Sequence, residues 1–477
     1  KTSPTGWMKR RRRSFARRFA SLSNKGYREG TFVAEHNPTQ NQDQAQEQGR
    51  PVGRKSVKRL QASANATKFQ KEWFHSVQER VRNGEPFALV STDVPHEILR
   101  AMDIPYIVNQ WWSSVSAAKQ VTPRYLDLLE QNGYRRDLCN YCAQSLAAAM
   151  DPEPEKGAWG GLPKPTVLIG VTGCDAQEKI FDLMSKKFGV PLFFLDLPSP
   201  RVLTHKNWWE KMPHHWDELI EPHRIDLLVE NYKELIRFLE IHTGRTFSET
   251  KLKQILDRAN EQMEYKRKTR DLIAETSPAP VGISDTMPAT MIPQWHRGSE
   301  DGVRMAKAMY EEVKERVENG EAAVPNERVR LMWIGLGLWF NMGFYQHFED
   351  KYGVALTWSF YLGLASDAYA RYGGEPLRQL AARFLGLDDV LRLPQMNVQW
   401  YVHEAKHNRM HGAVQLISPR CGGGGGGYFF KKAFADAGIP LLQIHANNVD
   451  ASGFNEQEII KQLEQFLENE IGVKPNA

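Results

Sequence analysis

Short apolar runs alternate with helical patterns four times along this chain, and that alternation restricts its fold more than any other feature. "PFALVS" (86–91) and "PYIVN" (105–109) flank the helical "PHEILRAM". The same grammar returns at Thr166–Thr172 with Pro191–Leu197, at Val329–Ile334 with Val354–Trp358, and at Ala413–Ser418 with Pro440–His445. Short β-branched-rich runs separated by helical stretches predict parallel strands covered by helices on both faces. The fold class expected is therefore α/β, with two lobes at 63–210 and 325–477. Long polar-faced helices from about Pro213 to Glu275 predict a helical connector over 211–324.

The first 62 residues read differently, as a basic polar N-terminal extension. Residues 1–60 hold 15 Lys and Arg against 4 Asp and Glu, a local net of +11 in a chain of net +5, so the remainder carries −6. "KRRRRSFARRFA" (Lys9–Ala20) is read as a tail or subunit contact; a nucleic-acid-binding arm is the alternative, tested by salt-dependent binding that disappears on deleting residues 1–60. No apolar run approaches the ~18 residues needed to span a bilayer, and no apolar segment follows the basic start as in a secretory signal. Four cysteines in 477 residues are too few for a disulfide scaffold. A cytoplasmic location is the expectation.

In open parallel sheets, ligands gather beyond the C-terminal strand ends, where helix N-termini present their N–H groups. Cys174 follows "TVLIGVT", and Cys421 follows "AVQLIS", so two cysteines occupy matching places in the two lobes. The other two, Cys139 and Cys142, open a helical stretch in "DLCNYCAQSLAAAM". Core filler, nucleophile and metal ligand all stay open for them. A structural zinc site usually shows two tight pairs, whereas one pair and two distant singles suit an iron–sulfur cluster. Six glycines, Gly422 to Gly427, follow Cys421. A main chain without Cβ atoms can lie against a cluster or thioester and donate its N–H groups; a ligand-free glycine loop is the alternative. No G-x-x-x-x-G-K-[ST] occurs, and "GLGLW" (Gly335–Trp339) lacks the third glycine of a dinucleotide fingerprint, so neither ATP nor NAD binding is supported.

Four segments in order resemble one family. "DLCNYC" (Asp137–Cys142), "GCDAQEKIFDLMSKKFGVPLFFLDLP" (Gly173–Pro198), "MWIGLGLWFNMGFYQHFEDKYG" (Met332–Gly353) and "GIPLLQIHANNVDASGFNEQEI" (Gly438–Ile459) are similar to segments of the 2-hydroxyacyl-CoA dehydratase / benzoyl-CoA reductase family. The resemblance spans about Glu85 to Val473. It implies Rossmann-like lobes around a [4Fe–4S] cluster held by three cysteines, which on this chain are Cys139, Cys174 and Cys421, with Gly422 and Gly423 beside it. It also implies a related second iron–sulfur subunit and a separate ATP-hydrolysing [4Fe–4S] activator. The reaction implied is dehydration of a 2-hydroxyacyl-CoA to an enoyl-CoA through a ketyl radical. Removing an unactivated hydrogen β to a thioester is hard by acid–base catalysis alone, which motivates radical chemistry.

Within that frame, His96 and Glu97, just after the first strand, are candidates to move protons near a thioester. A helix-start carboxylate favoured by the dipole is the plainer reading of Glu97. Trp111, Trp112, Trp339 and Phe340 stand after strands and are candidates to frame the acyl group; interface or core packing is the plainer reading. Cys142 is read as a core residue. The alternatives are a dearomatising aryl-CoA reductase subunit and a non-catalytic electron-relay or scaffolding subunit.

Overall fold

All eight apolar runs form strands, in two parallel four-stranded sheets. The computed structural model describes residues 55–136, 138–201, 206–418 and 427–476. The basic arm, Cys421, Gly422 and Gly423 lie outside the described residues. The first sheet holds β1 (Ala88–Val90), β2 (Tyr106–Val108), β3 (Val167–Val171) and β4 (Leu192–Leu195) in the order β2-β1-β3-β4. The second holds β5 (Val329–Ile334), β6 (Val354–Ser359), β7 (Gly412–Ile417) and β8 (Leu441–His445) in the same relative order, β6-β5-β7-β8. Every residue of β1, β3, β5 and β6 is buried, which is why these strands read as continuous apolar runs rather than alternating ones. β4 and β8 lie at sheet edges and are mostly half-buried.

Around the first sheet run α1 (Gln61–Arg82), α2 (His96–Ala101), α3 (Asn109–Ala118), α4 (Thr122–Gln131), α5 (Asn140–Met150) and α6 (Asp175–Phe188). The intervening stretch forms α7 (Pro222–Thr243), α8 (Glu249–Glu275), α9 (Ile283–Trp295) and α10 (Glu300–Glu318). Ser248 and Ser299 cap α8 and α10 by accepting N–H bonds from Lys251 and Gly302. α9 is buried on nearly all sides, so its sequence lacks an amphipathic stripe. The second sheet carries α11 (Phe360–Asp367), α12 (Pro376–Arg392), α13 (Pro394–His407), α14 (Gly427–Asp436) and α15 (Glu456–Phe466). Ahead of α1, the chain is tied down: the N–H groups of Arg59 and Leu60 donate to the Asp285 carboxylate at 3.0 Å. Among the described residues no helix is long and apolar enough to cross a membrane.

Both sheets reverse direction at the same point. The chain leaves β1 for β2 on one side, then returns to place β3 and β4 on the other. The C-terminal ends of β1 and β3, and of β5 and β7, therefore stand side by side at a topological switch point. Cys174 follows β3 by three residues, and Cys421 follows β7 by four in the sequence.

Candidate cysteine site at the strand ends

Cys139 and Cys174 occupy equivalent local positions: each is the last extended residue before a helix, α5 and α6 respectively. The N–H groups of Tyr141 and Cys142 favour the ionised form of Cys139, and that of Gln177 favours the ionised form of Cys174. A thiolate placed there is stabilised by unpaired helix N–H groups and by the dipole. Cys142 lies in the first turn of α5, is buried, and interacts with both other thiols. The bond to Cys142, with the Gln177 N–H and the Arg392 charge, outweighs burial and lowers the Cys174 thiol to about 6. Cys139 moves down for the same leading reason, and Cys142 moves well up as the donor to its neighbours.

The surrounding residues hold this geometry from both lobes. Asn109 donates to the Cys142 carbonyl and to Gln177 Oε1, each at 2.9 Å, which fixes α5 against the first turn of α6. Arg392, the last residue of α12, donates to the Gly173 carbonyl and to Asp388, and stands 3.5 Å from Asp93 beyond β1. A Cβ on Gly173 would fall 2.5 Å from that guanidinium, so a larger residue there would make Arg392 shift from its place beside Cys174. Asn140, next to Cys139, donates to Asp450 at 2.8 Å. In the same loop after β8, Asn448 accepts the Trp339 N–H at 3.0 Å through its carbonyl and the Ser418 hydroxyl at 3.3 Å through its side chain. Ser418 precedes Cys421 by three residues. One loop thus touches the neighbour of Cys139, the residue after β7, and Trp339, five residues beyond β5.

The sequence-predicted residues divide. Trp339 comes to this junction, half-buried, with its ring 5.5 Å from Tyr361 and its indole N–H buried without an acceptor. Phe340 is buried against Phe454 at 5.1 Å. Trp111 and Trp112 lie in the core between α3 and α1, Trp111 donating to Gln70 and Trp112 stacked on Phe74 at 5.2 Å. His96 and Glu97 are fully buried. Glu97 Oε1 accepts from Arg297 at 3.0 Å and from Arg383 at 2.8 Å. Burial pushes this carboxyl up, but the two guanidiniums overcome it and hold it at about 2. Burial drives the His96 imidazole well down, so it is neutral. A carboxylate pinned in this way is a poor proton carrier and a strong structural contact.

One motif escaped the sequence reading. His403–His407 spell H-E-x-x-H, a zinc-hydrolase pattern when both histidines and the glutamate converge on a helix face. Here Glu404 is buried, 3.2 Å from Arg270 and accepting from the Trp358 indole at 2.6 Å, so it cannot serve as a free base. Among the described residues no three His, Cys, Asp or Glu side chains are arranged to hold a single metal ion. A cubane draws one thiolate to each of several corners, and the donor set of Cys139 and Cys174 is chemically suited to it.

The thiols make a direct prediction for the cluster-free chain. Iodoacetamide labelling of Cys174 should rise with a midpoint near pH 6, whereas Cys142 stays unlabelled through neutral pH. Peptide mapping of the alkylated protein reads both. Arg392→Ala should move the Cys174 midpoint upward; an unchanged midpoint would remove Arg392 from the account.

The model for the 2-hydroxyglutaryl-CoA dehydratase D-component family matches residues 91–469. The chain is 23% identical over 392 residues to the (R)-2-hydroxyisocaproyl-CoA dehydratase alpha subunit of Clostridioides difficile, covering 81% of this chain and 90% of that protein. It is 18% identical over 394 residues to the (R)-phenyllactyl-CoA dehydratase alpha subunit of Clostridium sporogenes, covering 82% and 91%. With its strand-end cysteines and its match over most of its length, the chain belongs to the 2-hydroxyglutaryl-CoA dehydratase D-component family.

Proposed function

We propose that this chain is the cluster-bearing subunit of an enzyme that eliminates water from a 2-hydroxyacyl-CoA thioester. The observation that supports this most is the pair of cysteines, Cys139 and Cys174, at the N-cap positions of two helices that meet at one strand-end junction of a chain in this family. Both named relatives are dehydratases, which is the ground for preferring elimination over reduction of an aromatic ring. Both are alpha subunits, which supports a related partner subunit for this chain.

Cys139, Cys174 and Cys421 are the residues assigned to hold a [4Fe–4S] cluster. Such a cluster supplies a single electron of low potential and a Lewis-acidic iron for an oxygen of the thioester. The chain's own residues prepare that site. The N–H groups of Tyr141, Cys142 and Gln177 offset negative charge on the thiolates. Arg392 adds a fixed positive charge beside Cys174. Cys139 packs against the apolar cores of both lobes, which limits access of water to it. Trp339, half-buried beside Asn448, is the strand-end aromatic placed to bound an acyl group. A separate ATP-hydrolysing iron–sulfur activator and a cytoplasmic setting complete the reading.

Anaerobic purification followed by iron and sulfide analysis tests it. About four irons per chain are expected, with an EPR signal on reduction, and both should disappear in Cys174→Ala. Wild-type protein with its partner and activator should convert a 2-hydroxyacyl-CoA to the enoyl-CoA. Protein with zinc or no metal in place of iron would refute the reading.

A further inference from the structure

Three arginines meet inside the protein around a single carboxylate. Arg297, Arg371 and Arg383 are all fully buried. Glu97 pairs with Arg297 and Arg383. Among the described residues no carboxylate is paired with Arg371. Arg371 stands in the turn between α11 and α12, and Asn260 on α8 ties it to Arg383. The Asn260 Oδ1 accepts the Arg371 main-chain N–H and the Arg383 Nη2, each at 3.1 Å. Arg371 Nη1 donates to the Ala370 carbonyl at 2.6 Å. Its Nε and Nη2 are buried and donate to no group among the described residues. Those two nitrogens form the side-on fork of a guanidinium, whose N–H groups point in parallel and grip an anion together.

The sequence of α12 admits this side chain. Gly386 lies one turn beyond Arg383. A Cβ there would fall 2.5 Å from Arg371 Nη2 and 3.0 Å from Met212 Sδ. Glycine is unfavourable inside a helix, and here its bare Cα lets the guanidinium lie against the main chain. The same helix ends at Arg392, which donates to the Gly173 carbonyl beside Cys174.

A buried cation without a counter-charge is among the most costly features a core can hold. Burial and the Arg383 charge lower the Arg371 guanidinium from its usual value. A guanidinium nevertheless gives up its proton with great difficulty, so a counter-ion is the easier remedy. Water would satisfy the two N–H groups and leave the charge unbalanced. A tetrahedral oxyanion would bring three or four oxygens to a fork that serves two, beside a thioether. A monatomic anion needs only the fork.

We propose that the Nε–Nη2 fork of Arg371 binds a halide ion, chloride being the abundant one, as a structural ligand of this protein. The site is separate from the cysteines and does not depend on the dehydratase reading.

Thermal melts of the full-length, anaerobically purified chain at constant ionic strength test it, with sodium chloride, bromide, phosphate and gluconate as the salts. Wild-type protein should melt roughly 3 °C higher in either halide than in gluconate, which is too large to enter. Arg371→Met should lose that difference, and in gluconate it should melt no lower than wild type, because it removes the unbalanced charge. Crystals grown in bromide should show an anomalous peak at the Arg371 fork. Equal melting of wild type in halide and gluconate would overturn the proposal. So would a halide response kept in full by Arg371→Met, which marks a general salt effect. Stabilisation by phosphate and not by halide would overturn the choice of ion. Should Arg371→Met fail to fold, the wild-type crystals decide, and no bromide peak at the fork would sink the site.

Discussion

Glu97→Ala should cost about 3–5 kcal/mol of folding stability, because it leaves two guanidiniums buried without their carboxylate. Glu97 reaches from α2 to Arg297, just beyond α9, and to Arg383 on α12, and all three side chains are fully buried. Arg297 also lies 5.2 Å from the Tyr369 ring centre, so no simple rotation carries its charge to water. The measurement is the urea midpoint, with Glu97→Gln as the isosteric control, which should lose somewhat less. The same contact gives an acid limb. The carboxyl is held at about 2 against an ordinary 4.5, so its contribution is complete above pH 4.5 and is lost as pH falls toward 2. Flattening of that limb in Glu97→Gln would confirm the assignment. A wild-type midpoint in Glu97→Ala would show that the arginines find other partners.

Arg270→Met should be comparably damaging, by about 3–5 kcal/mol at neutral pH. Arg270 is shared between two buried carboxylates, 2.6 Å from Asp367 and 3.2 Å from Glu404. The indoles of Trp400 and Trp358 donate to these same groups at 2.7 and 2.6 Å. One guanidinium does not neutralise two acids, and burial pushes the Glu404 carboxyl up to about 7. A raised carboxyl contributes stability below its unfolded value near 4.5 and loses it as pH rises through 7. Wild-type stability should therefore carry a declining component between pH 4.5 and 7. Glu404→Gln should remove that decline, and Arg270→Met should recover part of its loss in acid, where Glu404 is protonated. Thermal melts across that pH range read all three proteins.

The strands and the matched placement of Cys174 were legible because they are local properties. A strand buried on both faces must be a continuous apolar run, and β1, β3, β5 and β6 are such runs. Cys174 needed only the end of β3 to be located. Cys421 and the glycine run lie outside the described residues, so their assignment to a cluster stays with the family resemblance. The Trp111–Trp112 pair shows the limit of that logic. Standing after β2 suggested a ligand wall, but α1 covers them, and its Phe74 stacks on Trp112. Similarly, Glu97 follows a strand and opens a helix, which suited a catalytic acid. Its two arginines come from positions 200 and 286 residues further on.

The sequence by itself determined the layer architecture, the two parallel sheets and the strand ends where cysteines stand, because hydrophobic period and turn chemistry act over a few residues. The tertiary structure alone decided which strand-end groups meet. Asn140 finds Asp450 across 310 residues, and Arg392 reaches Gly173 across 219. It also decided that H-E-x-x-H at His403 turns its glutamate into an ion pair rather than toward a metal. Such choices depend on how two separately encoded sheets and their helices pack, and no local pattern carries that information.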